Sequence, residues 1–404
     1  MKIVISWLYC YLSLVFLLCY HISFLNHFPN LNLLNDGGTV GMKEGHTFNP
    51  MDFQNIVDSY KTSILGYKKH KMHKHQHWRM FFKQFDQYLQ DDEIWKDFRR
   101  NAISLGMNDS VKKNGDVFSQ VEIQRILNNF QYIKDRIEQD MLDFLNDNNI
   151  GNPIGFYFDG RFINRSIIDF VYFADSIKRI INDRSKPLKI IEIGGGYGGL
   201  ARILKQVYPN AKMVLFDLPE SNTISTYYLS HSFPNAKMMI MANYEKKKLF
   251  EADFTVLPGW LMTEITGNSV DLVINTRSMM EMEKIIVDQY VEQIQRVTKP
   301  GGYFYCVNRY EKSKSSWKRP FLFHEMPFDK KWEVVFLRTK WDQRRIGELM
   351  IQREEKECLD VNIQEMIYEI YRETQSPIHI GKVSRKQNIM KLFVKLYYNI
   401  LRYR

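Results

Sequence analysis

The sequence predicts an α/β fold with a mainly parallel sheet, on three observations. The apolar run KIIEI (Lys189–Ile193) indicates a buried strand, and a helical segment separates it from a second run, MVLFD, that ends at Asp217. Further on, VDLVIN (Val270–Asn275) indicates another strand, followed by the amphipathic segment IVDQYVEQIQRV and then by KPGGYFYCV. Strands that alternate with helical segments are typical of parallel sheets built from strand–helix–strand units.

The first of these strands runs into the sequence GGGYGG, from Gly194 to Gly199, and then into a helix that we expect to end near Tyr208. Glycines allow positive φ and let a ligand approach the backbone closely, and a helix N-terminus offers unpaired N–H groups. The pattern therefore predicts a nucleotide-like ligand. Nicotinamide, flavin and S-adenosylmethionine enzymes all share it, so the glycines alone do not choose among them.

Glu192 narrows that choice, because it completes the form E-x-G-x-G-x-G that is typical of class I S-adenosylmethionine-dependent methyltransferases. Rossmann dehydrogenases usually carry an apolar residue at that position. Asp217 follows the turn by about 20 residues and can accept hydrogen bonds from ribose hydroxyls. The turn Lys-Pro-Gly-Gly, Lys299–Gly302, is a further methyltransferase mark. The sequence thus predicts a Rossmann-like class I methyltransferase sheet with S-adenosyl-L-methionine as cofactor.

The strand between Asp217 and Val270 is ambiguous, because both KMMIM and FTVL could fill it. We favour Phe254–Leu257, which places Pro258, Gly259 and Trp260 beside the adenine. Ordinary core packing is an equally good interpretation of Trp260. The predicted cofactor-binding residues are Glu192, Gly194, Gly195, Gly196, Gly198, Asp217, Leu218, Trp260 and Asn275.

The N-terminal segment has no formally charged residue from Ile3 to Leu25. A helix of roughly 20 apolar residues crosses the hydrocarbon core of a membrane. No convincing cleavage site follows, so we predict an uncleaved single-pass anchor with the body of the protein in a lumen or outside the cell. A buried amphipathic helix is the alternative. In a lumen, the sequons at Asn108 and Asn164 could carry glycans.

The length of 404 residues allows a catalytic domain of about 200–250 residues and an accessory region. The net charge of +10 is spread along the chain, with no nucleic-acid-binding signature, so nucleic acid is not an expected partner. The predicted units are a transmembrane anchor at 1–28, a stem at 29–60, a helical cap at 61–185, the S-adenosylmethionine-binding domain at 186–345 and a C-terminal helical extension at 346–404. The oligomeric state is left open.

Four segments in combination resemble the sugar O-methyltransferase family: IEIGGGYGGLARIL, FDLPE followed by YYLS, the LPGW turn and INTRSMMEM. The resemblance covers roughly Gly151 to Phe328. It implies methyl transfer from S-adenosylmethionine to a hydroxyl of a sugar, within a glycan or glycoconjugate. Members of the family are mostly described without an anchor, so the predicted membrane segment is a departure from its pattern.

A sugar hydroxyl is a poor nucleophile near neutral pH, so a general base or a metal must assist the transfer. Glu281, in the loop after the strand Val270–Asn275, is the first candidate base, although an acid near a helix N-terminus also stabilises that helix. His324 is the second candidate, with a purely structural role as the alternative. No metal-ligand spacing emerges, which leaves metal dependence open. The candidate substrate-binding residues are Arg277, Ser278, Asn308, Arg309, Asp159 and Arg161.

Two rival functions remain. A nicotinamide-dependent oxidoreductase would share the glycine loop, but Glu192 and the turn Lys299–Gly302 disfavour it. A non-catalytic, membrane-tethered binding or scaffold protein would keep the fold without the reaction.

Overall fold

The computed structural model describes residues 51–69, 85–100, 118–312, 320–358 and 362–375. The predicted anchor at 1–28, most of the predicted stem and the sequon at Asn108 lie outside these ranges. Within them, the search for a helix of sufficient length and hydrophobicity to cross a membrane finds none.

The described chain forms two short hairpins and one large sheet. The strands are β1 (Phe156–Phe158), β2 (Arg161–Ile163), β3 (Lys189–Ile193), β4 (Lys212–Asp217), β5 (Met238–Ile240), β6 (Phe254–Pro258), β7 (Val270–Thr276), β8 (Thr298–Arg309), β9 (Glu311–Lys312), β10 (Phe321–Leu322), β11 (Trp332–Thr339) and β12 (Ile346–Arg353). The α-helices are α1 (Phe53–Lys69), α2 (Gln120–Lys134), α3 (Arg165–Lys178), α4 (Gly199–Val207), α5 (Pro219–Ser232), α6 (Lys284–Val297) and α7 (Ile363–Gln375). Short 3-10 helices connect several of them.

Eight of the described strands form the main sheet, in the order β11-β12-β8-β7-β3-β4-β6-β5. Strands β5, β6, β4, β3, β7 and β8 run parallel, and β12 is antiparallel to both β8 and β11. Strand β3 is mainly apolar because helices cover both faces of the sheet and its isoleucines are fully buried. The predicted Rossmann-like α/β sheet is therefore confirmed.

The chain leaves β3 toward β4 on one side and later returns to β7 on the other. Ligands of open α/β sheets bind beyond the carboxyl ends of the strands at such a switch point. The glycine-rich turn follows β3 at this place, so the topology puts the predicted cofactor loop where the sheet leaves a crevice.

Two layers of helices cover the sheet. Helices α2, α3, α4 and α5 share one hydrophobic core with one face of the sheet, whereas α6 and α7 contribute to the core on the other face. The N-terminal segment from Phe85 to Phe98 also contributes side chains to the first core. The described part of the predicted helical cap therefore packs into the same core as the sheet.

The predicted stem, 29–60, is wrong in its last part, because α1 begins at Phe53 and belongs to the folded body. The hydroxyl of Ser59 accepts a hydrogen bond from the backbone N–H of Met241 at 3.0 Å. The sequence pattern missed this helix because its apolar face becomes visible only against its neighbour α5.

The predicted C-terminal boundary at residue 345 is also wrong. Strand β12, which begins at Ile346, lies between β8 and β11 and hydrogen-bonds to both. It is buried because it is an internal strand of the sheet, so the sheet domain extends at least to Arg353. Of the proposed helical extension, the structure describes α7 alone as a helix.

The preference for Phe254–Leu257 as a strand is confirmed by β6, and Met238–Ile240 forms the edge strand β5 beside it.

Candidate functional site

A cavity of about 540 Å³ opens at the carboxyl ends of β3, β4, β6 and β7. It brings together ten of the residues that the sequence singled out: Glu192, Gly194, Gly195, Gly196, Asp217, Leu218, Trp260, Arg277, Ser278 and Glu281. Residues that sequence reasoning missed complete the wall, chiefly Arg165, Ser166, Asp169, Phe170 and Phe173 of α3, together with Tyr197, Phe216, Ser221 and Tyr290. The apolar pattern of α3 predicts a helix but gives no sign that its first turns face the ligand.

The glycine loop has the left-handed backbone that its sequence predicts. Gly194, Gly196 and Gly198 have φ of 70°, 57° and 89°. A Cβ on Gly194 would lie 2.0 Å from the Oγ of Ser278, so this position excludes any side chain. Gly198 is the N-cap of α4 and shapes the turn from behind the cavity wall. The loop therefore presents backbone at the wall and leaves the space above it for a ligand.

Asp217 is held in a fixed orientation at the end of β4. One of its carboxylate oxygens accepts the N–H of Gly196 at 2.9 Å, and the other accepts the N–H of Leu218 at 2.7 Å. Burial nevertheless raises the pKa of Asp217 to about 6, because these hydrogen bonds offset only part of the loss of water. The carboxylate also has a hydrogen bond with the Ser221 side chain and still has acceptor capacity left for a ligand hydroxyl.

Glu192 has a buried carboxyl group whose hydrogen bonding is incomplete. It is 2% exposed and lines the cavity, and its Oε2 has no hydrogen-bond partner in the described part of the chain. Burial, and then the nearby charge of Asp217, raise its pKa to about 8. A cationic ligand would stabilise the ionised form. S-adenosylmethionine, which has a sulfonium and an α-ammonium group, suits this acid, and the glycine turn and Asp217 suit its nucleoside.

The indole of Trp260 lies against the backbone of Gly66 in α1, next to the cavity. It is 6% exposed, so it both packs in the core and lines the site. Helix α1, which the sequence assigned partly to a stem, thus closes the predicted adenine side.

The loop after β7 is tied to its neighbours by two asparagines. Asn275 donates to the backbone oxygen of Ile193 at 2.9 Å and accepts from the amide of Asn308 at 2.8 Å. Asn308 also accepts the N–H of Met280 at 3.1 Å. Both asparagines are fully buried. They lie behind the wall and hold the loop, so the structure gives neither of them the ligand-contacting place that we predicted.

Glu281 lines the cavity, as expected of a candidate base. Its carboxylate forms an ion pair with Lys312 of β9. Lys312 had no role in the sequence prediction, because the pair joins residues about 30 positions apart on different elements. The structure therefore places an oriented carboxylate beside the space for an acceptor.

His324, Arg309, Asp159 and Arg161 do not line this cavity. The centre of the His324 ring lies 5.0 Å from the centre of the Tyr368 ring in α7. The hairpin β1–β2 has Asp159 at its turn, where it pairs with Lys134 at 2.7 Å and with Arg161 at 3.2 Å on the surface. These four residues therefore lie outside the cavity, contrary to the direct roles in the site that we predicted for them.

Asn164 caps α3 and accepts the N–H of Ile167 at 3.0 Å. Its amide donates to Asp147 at 2.7 Å, and the residue is 2% exposed. The folded chain thus buries the asparagine of the second sequon. No cluster of three potential metal-ligating side chains occurs within the described ranges.

Comparison with known proteins finds a match for part of the chain that lines this cavity. Residues 179–302 match the model of an O-methyltransferase domain, a region that contains Glu192, the glycine loop, Asp217 and Glu281. The match makes this part of the chain an O-methyltransferase domain, and S-adenosylmethionine is its cofactor.

Among solved structures, the chain is similar to the PH0226 protein from Pyrococcus horikoshii OT3, with 12% identity, coverage of 47% of this chain and 91% of that chain, and a TM-score of 0.34. It is also similar to the pyocyanin biosynthetic protein PhzM, with 11% identity, coverage of 46% and 56%, and a TM-score of 0.31. Scores this low say nothing about activity. A search of curated proteins finds no match.

Proposed function

We propose that this O-methyltransferase domain transfers the methyl group of S-adenosylmethionine to a hydroxyl of a sugar within a glycan or glycoconjugate. The observation that supports the acceptor class is the position of the INTRSMMEM segment, which is part of the resemblance to sugar O-methyltransferases. Its residues Arg277, Ser278 and Glu281 line the same cavity as the cofactor loop. We also propose that a membrane anchor at residues 1–28 holds the domain against a membrane, with the body in a lumen or outside the cell.

The cofactor, when bound, supplies an electrophilic methyl group on a sulfonium. The chain's own residues do the rest. Glu192 balances the positive charge of the ligand, Asp217 holds its ribose, and the glycine loop allows the close approach of both. Phe170, Phe173 and other aromatic side chains of the wall exclude water from the space beside it.

Glu281 is the proposed general base. With the cofactor bound, a Glu281 carboxylate oxygen would accept the proton of the acceptor hydroxyl, and the hydroxyl oxygen would bond to the methyl carbon as the bond from that carbon to the cofactor sulfur breaks and S-adenosylhomocysteine leaves. Lys312 keeps that carboxylate oriented toward the cavity through their ion pair. General base assistance of this kind is worth about 10² to 10⁴ in rate.

The decisive experiment has two parts. Calorimetry with the purified protein measures S-adenosylmethionine binding, and radiolabelled methyl transfer to a panel of glycans measures the reaction. We expect saturable binding, and transfer that falls about 100-fold in Glu281→Gln with cofactor affinity unchanged. Glu283→Gln is the matched control, since Glu283 is an exposed acid two residues away that does not line the cavity.

Absence of cofactor binding would overturn the proposed activity. Cofactor binding without transfer to any glycan would leave the methyltransferase domain in place and reject the sugar acceptor. Unchanged transfer in Glu281→Gln would reject the proposed base alone.

A further inference from the structure

We propose that the acceptor is an acidic sugar, one that bears a carboxylate or phosphate, and that Arg165 and Arg277 hold its anionic group. This inference rests on the proposed function and narrows its substrate. Both arginines line the cavity that contains Glu281 and the cofactor loop.

Arg277 is held in an unusual conformation at the end of β7. Its φ is 60°, a left-handed value that is rare for a residue with a long side chain. The backbone N–H donates to the oxygen of Val307 at 2.7 Å and fixes the residue in place. Strained positions of this kind are concentrated at ligand sites, because surrounding structure must hold them there. The strain therefore favours a binding role over simple packing.

The guanidinium of Arg277 has an ion-pair partner, but some of its N–H donors are left without hydrogen bonds. Its Nη2 lies 2.8 Å from the Oδ2 of Asp169. That contact lacks hydrogen-bond geometry, and the buried Nε and Nη2 of Arg277 have no hydrogen-bond partner in the described residues. The side chain is nevertheless 30% exposed and lines the cavity, so an anion can reach the guanidinium through its accessible part, and a charged donor binds an anion more strongly than a neutral donor does.

The cations around Asp169 outnumber the acids. The carboxylate of Asp169 also contacts the buried Nζ of Lys340 at 2.8 Å, and Lys340 contacts Asp342 as well. Burial alone would raise the pKa of Asp169, but Arg277 and Lys340, with a smaller effect from Arg165, hold it below its ordinary value. Three cations therefore face two carboxylates, and the surplus positive charge lies at the cavity wall with Arg165 and Arg277.

The acids that suit the cofactor and the two arginines lie on different elements of the cavity wall. Glu192 and Asp217, which suit the positive groups of the cofactor, lie on β3 and β4. The two arginines lie on α3 and on the loop after β7, next to the segment that contains Glu281. This arrangement leaves the arginines available to bind the acceptor. The carboxylate of the cofactor is the competing anion, and the experiment separates the two.

The test compares matched acceptors with the full-length protein: methyl glucuronide and glucose 6-phosphate as acidic sugars, and methyl glucoside as a neutral one. We expect kcat/KM to be at least about tenfold higher for one of the acidic sugars, the gain of one charge-assisted hydrogen bond. Arg165→Gln and Arg277→Gln should each remove about tenfold of that preference. In both variants, the loss of kcat/KM on the neutral sugar and the change in the calorimetric Kd of S-adenosylmethionine should be clearly smaller than the loss of kcat/KM on the acidic sugar. Arg277→Lys should keep part of the preference, and Arg161→Gln, on the surface hairpin, should keep all of it.

Three results would overturn the inference: preference for the neutral sugar, equal losses on all acceptors, or a loss confined to cofactor affinity, which would assign the arginines to the cofactor carboxylate. If none of the sugars is methylated, binding of the same sugars to protein saturated with S-adenosylhomocysteine decides. If the protein binds an acidic sugar selectively and Arg277→Gln abolishes that binding, the anion site is supported although the proposed reaction is rejected. Absence of selective binding would reject the anion site.

Discussion

Arg99 donates a hydrogen bond to the hydroxyl of Tyr197 across 3.2 Å, and its guanidinium carbon lies 4.9 Å from the centre of the Tyr197 ring. Tyr197 belongs to the glycine loop and lines the cavity, whereas Arg99 comes from the N-terminal segment about 100 positions earlier. The same guanidinium pairs with Asp147 at 2.6 Å, with both side chains buried. The N-terminal segment thus holds the cofactor loop through one buried arginine.

Replacement of Arg99 by Met should lower the free energy of unfolding by about 3 kcal/mol, because it leaves the buried carboxylate of Asp147 with Arg202 as its remaining cation. It should also weaken S-adenosylmethionine binding, since Tyr197 loses its anchor. Urea unfolding and calorimetry measure the two effects. Arg125→Met is the control, because Arg125 is an exposed arginine on α2. Equal stability of the two variants would contradict the assigned role.

The cofactor-free protein should become less stable as the pH rises from 5 to 8. Glu192 has its pKa raised from 4.5 to about 8, and Asp217 from 3.8 to about 6, so the folded state binds more protons than the unfolded state between these values. Stability is then lost as the pH rises through that interval. Glu192→Gln removes this ionisation. It should flatten the upper part of the profile of stability against pH and raise the free energy of unfolding by on the order of 2 kcal/mol at pH 8.

Urea unfolding at half-unit pH steps tests this prediction without cofactor. Glu251→Gln serves as the control, because Glu251 is an exposed acid on the surface. An unaltered pH profile in Glu192→Gln would show that Glu192 is not the titrating group.

Gly194→Ala should abolish measurable cofactor binding and lower stability by about 2 kcal/mol or more, from backbone strain and from the clash with Ser278. Gly301→Ala is a matched control: Gly301 has φ of 77°, yet a Cβ there meets no atom within 4 Å. It should cost about 1 kcal/mol, the strain of the left-handed backbone alone. Thermal unfolding and calorimetry distinguish the two. A similar loss of binding in both would mean that the contact with Ser278 does not matter.

Asn308→Ala should reduce methyl transfer more than cofactor binding. It removes the acceptor for the N–H of Met280, next to Glu281, and leaves that buried donor unpaired at a cost of about 1–3 kcal/mol. We expect kcat to fall while the Kd for S-adenosylmethionine changes little. Asn308→Asp keeps the acceptor oxygen and should recover part of kcat. An effect on cofactor affinity alone would place Asn308 with the cofactor instead.

Local sequence was enough to predict the cofactor half of this site. The glycine turn, Glu192 and Asp217 lie within 26 residues of one another, and each has a role set by its own strand end or by backbone conformation. The periodicity of apolar residues likewise predicted β3, β4, β6, β7 and the helix after β7.

The acceptor half depended on contacts between distant segments. Arg165 and Asp169 lie at the cavity because the first turns of α3 border it, and Lys312 of β9 forms an ion pair with Glu281. Neither of these contacts can be predicted from the local sequence around its residues. His324 failed as a candidate for the same reason, since chain order after β8 does not say which way a hairpin turns.

The sequence by itself determined the class of fold and the cofactor, because periodicity, glycine conformation and strand-end acids are local properties of the chain. The tertiary structure alone decided which side chains share the cavity, that β12 is an internal strand, and that Arg99 anchors the glycine loop. These depend on packing and on buried charge pairs between residues far apart in the chain, whose partners are chosen only when the elements fold together.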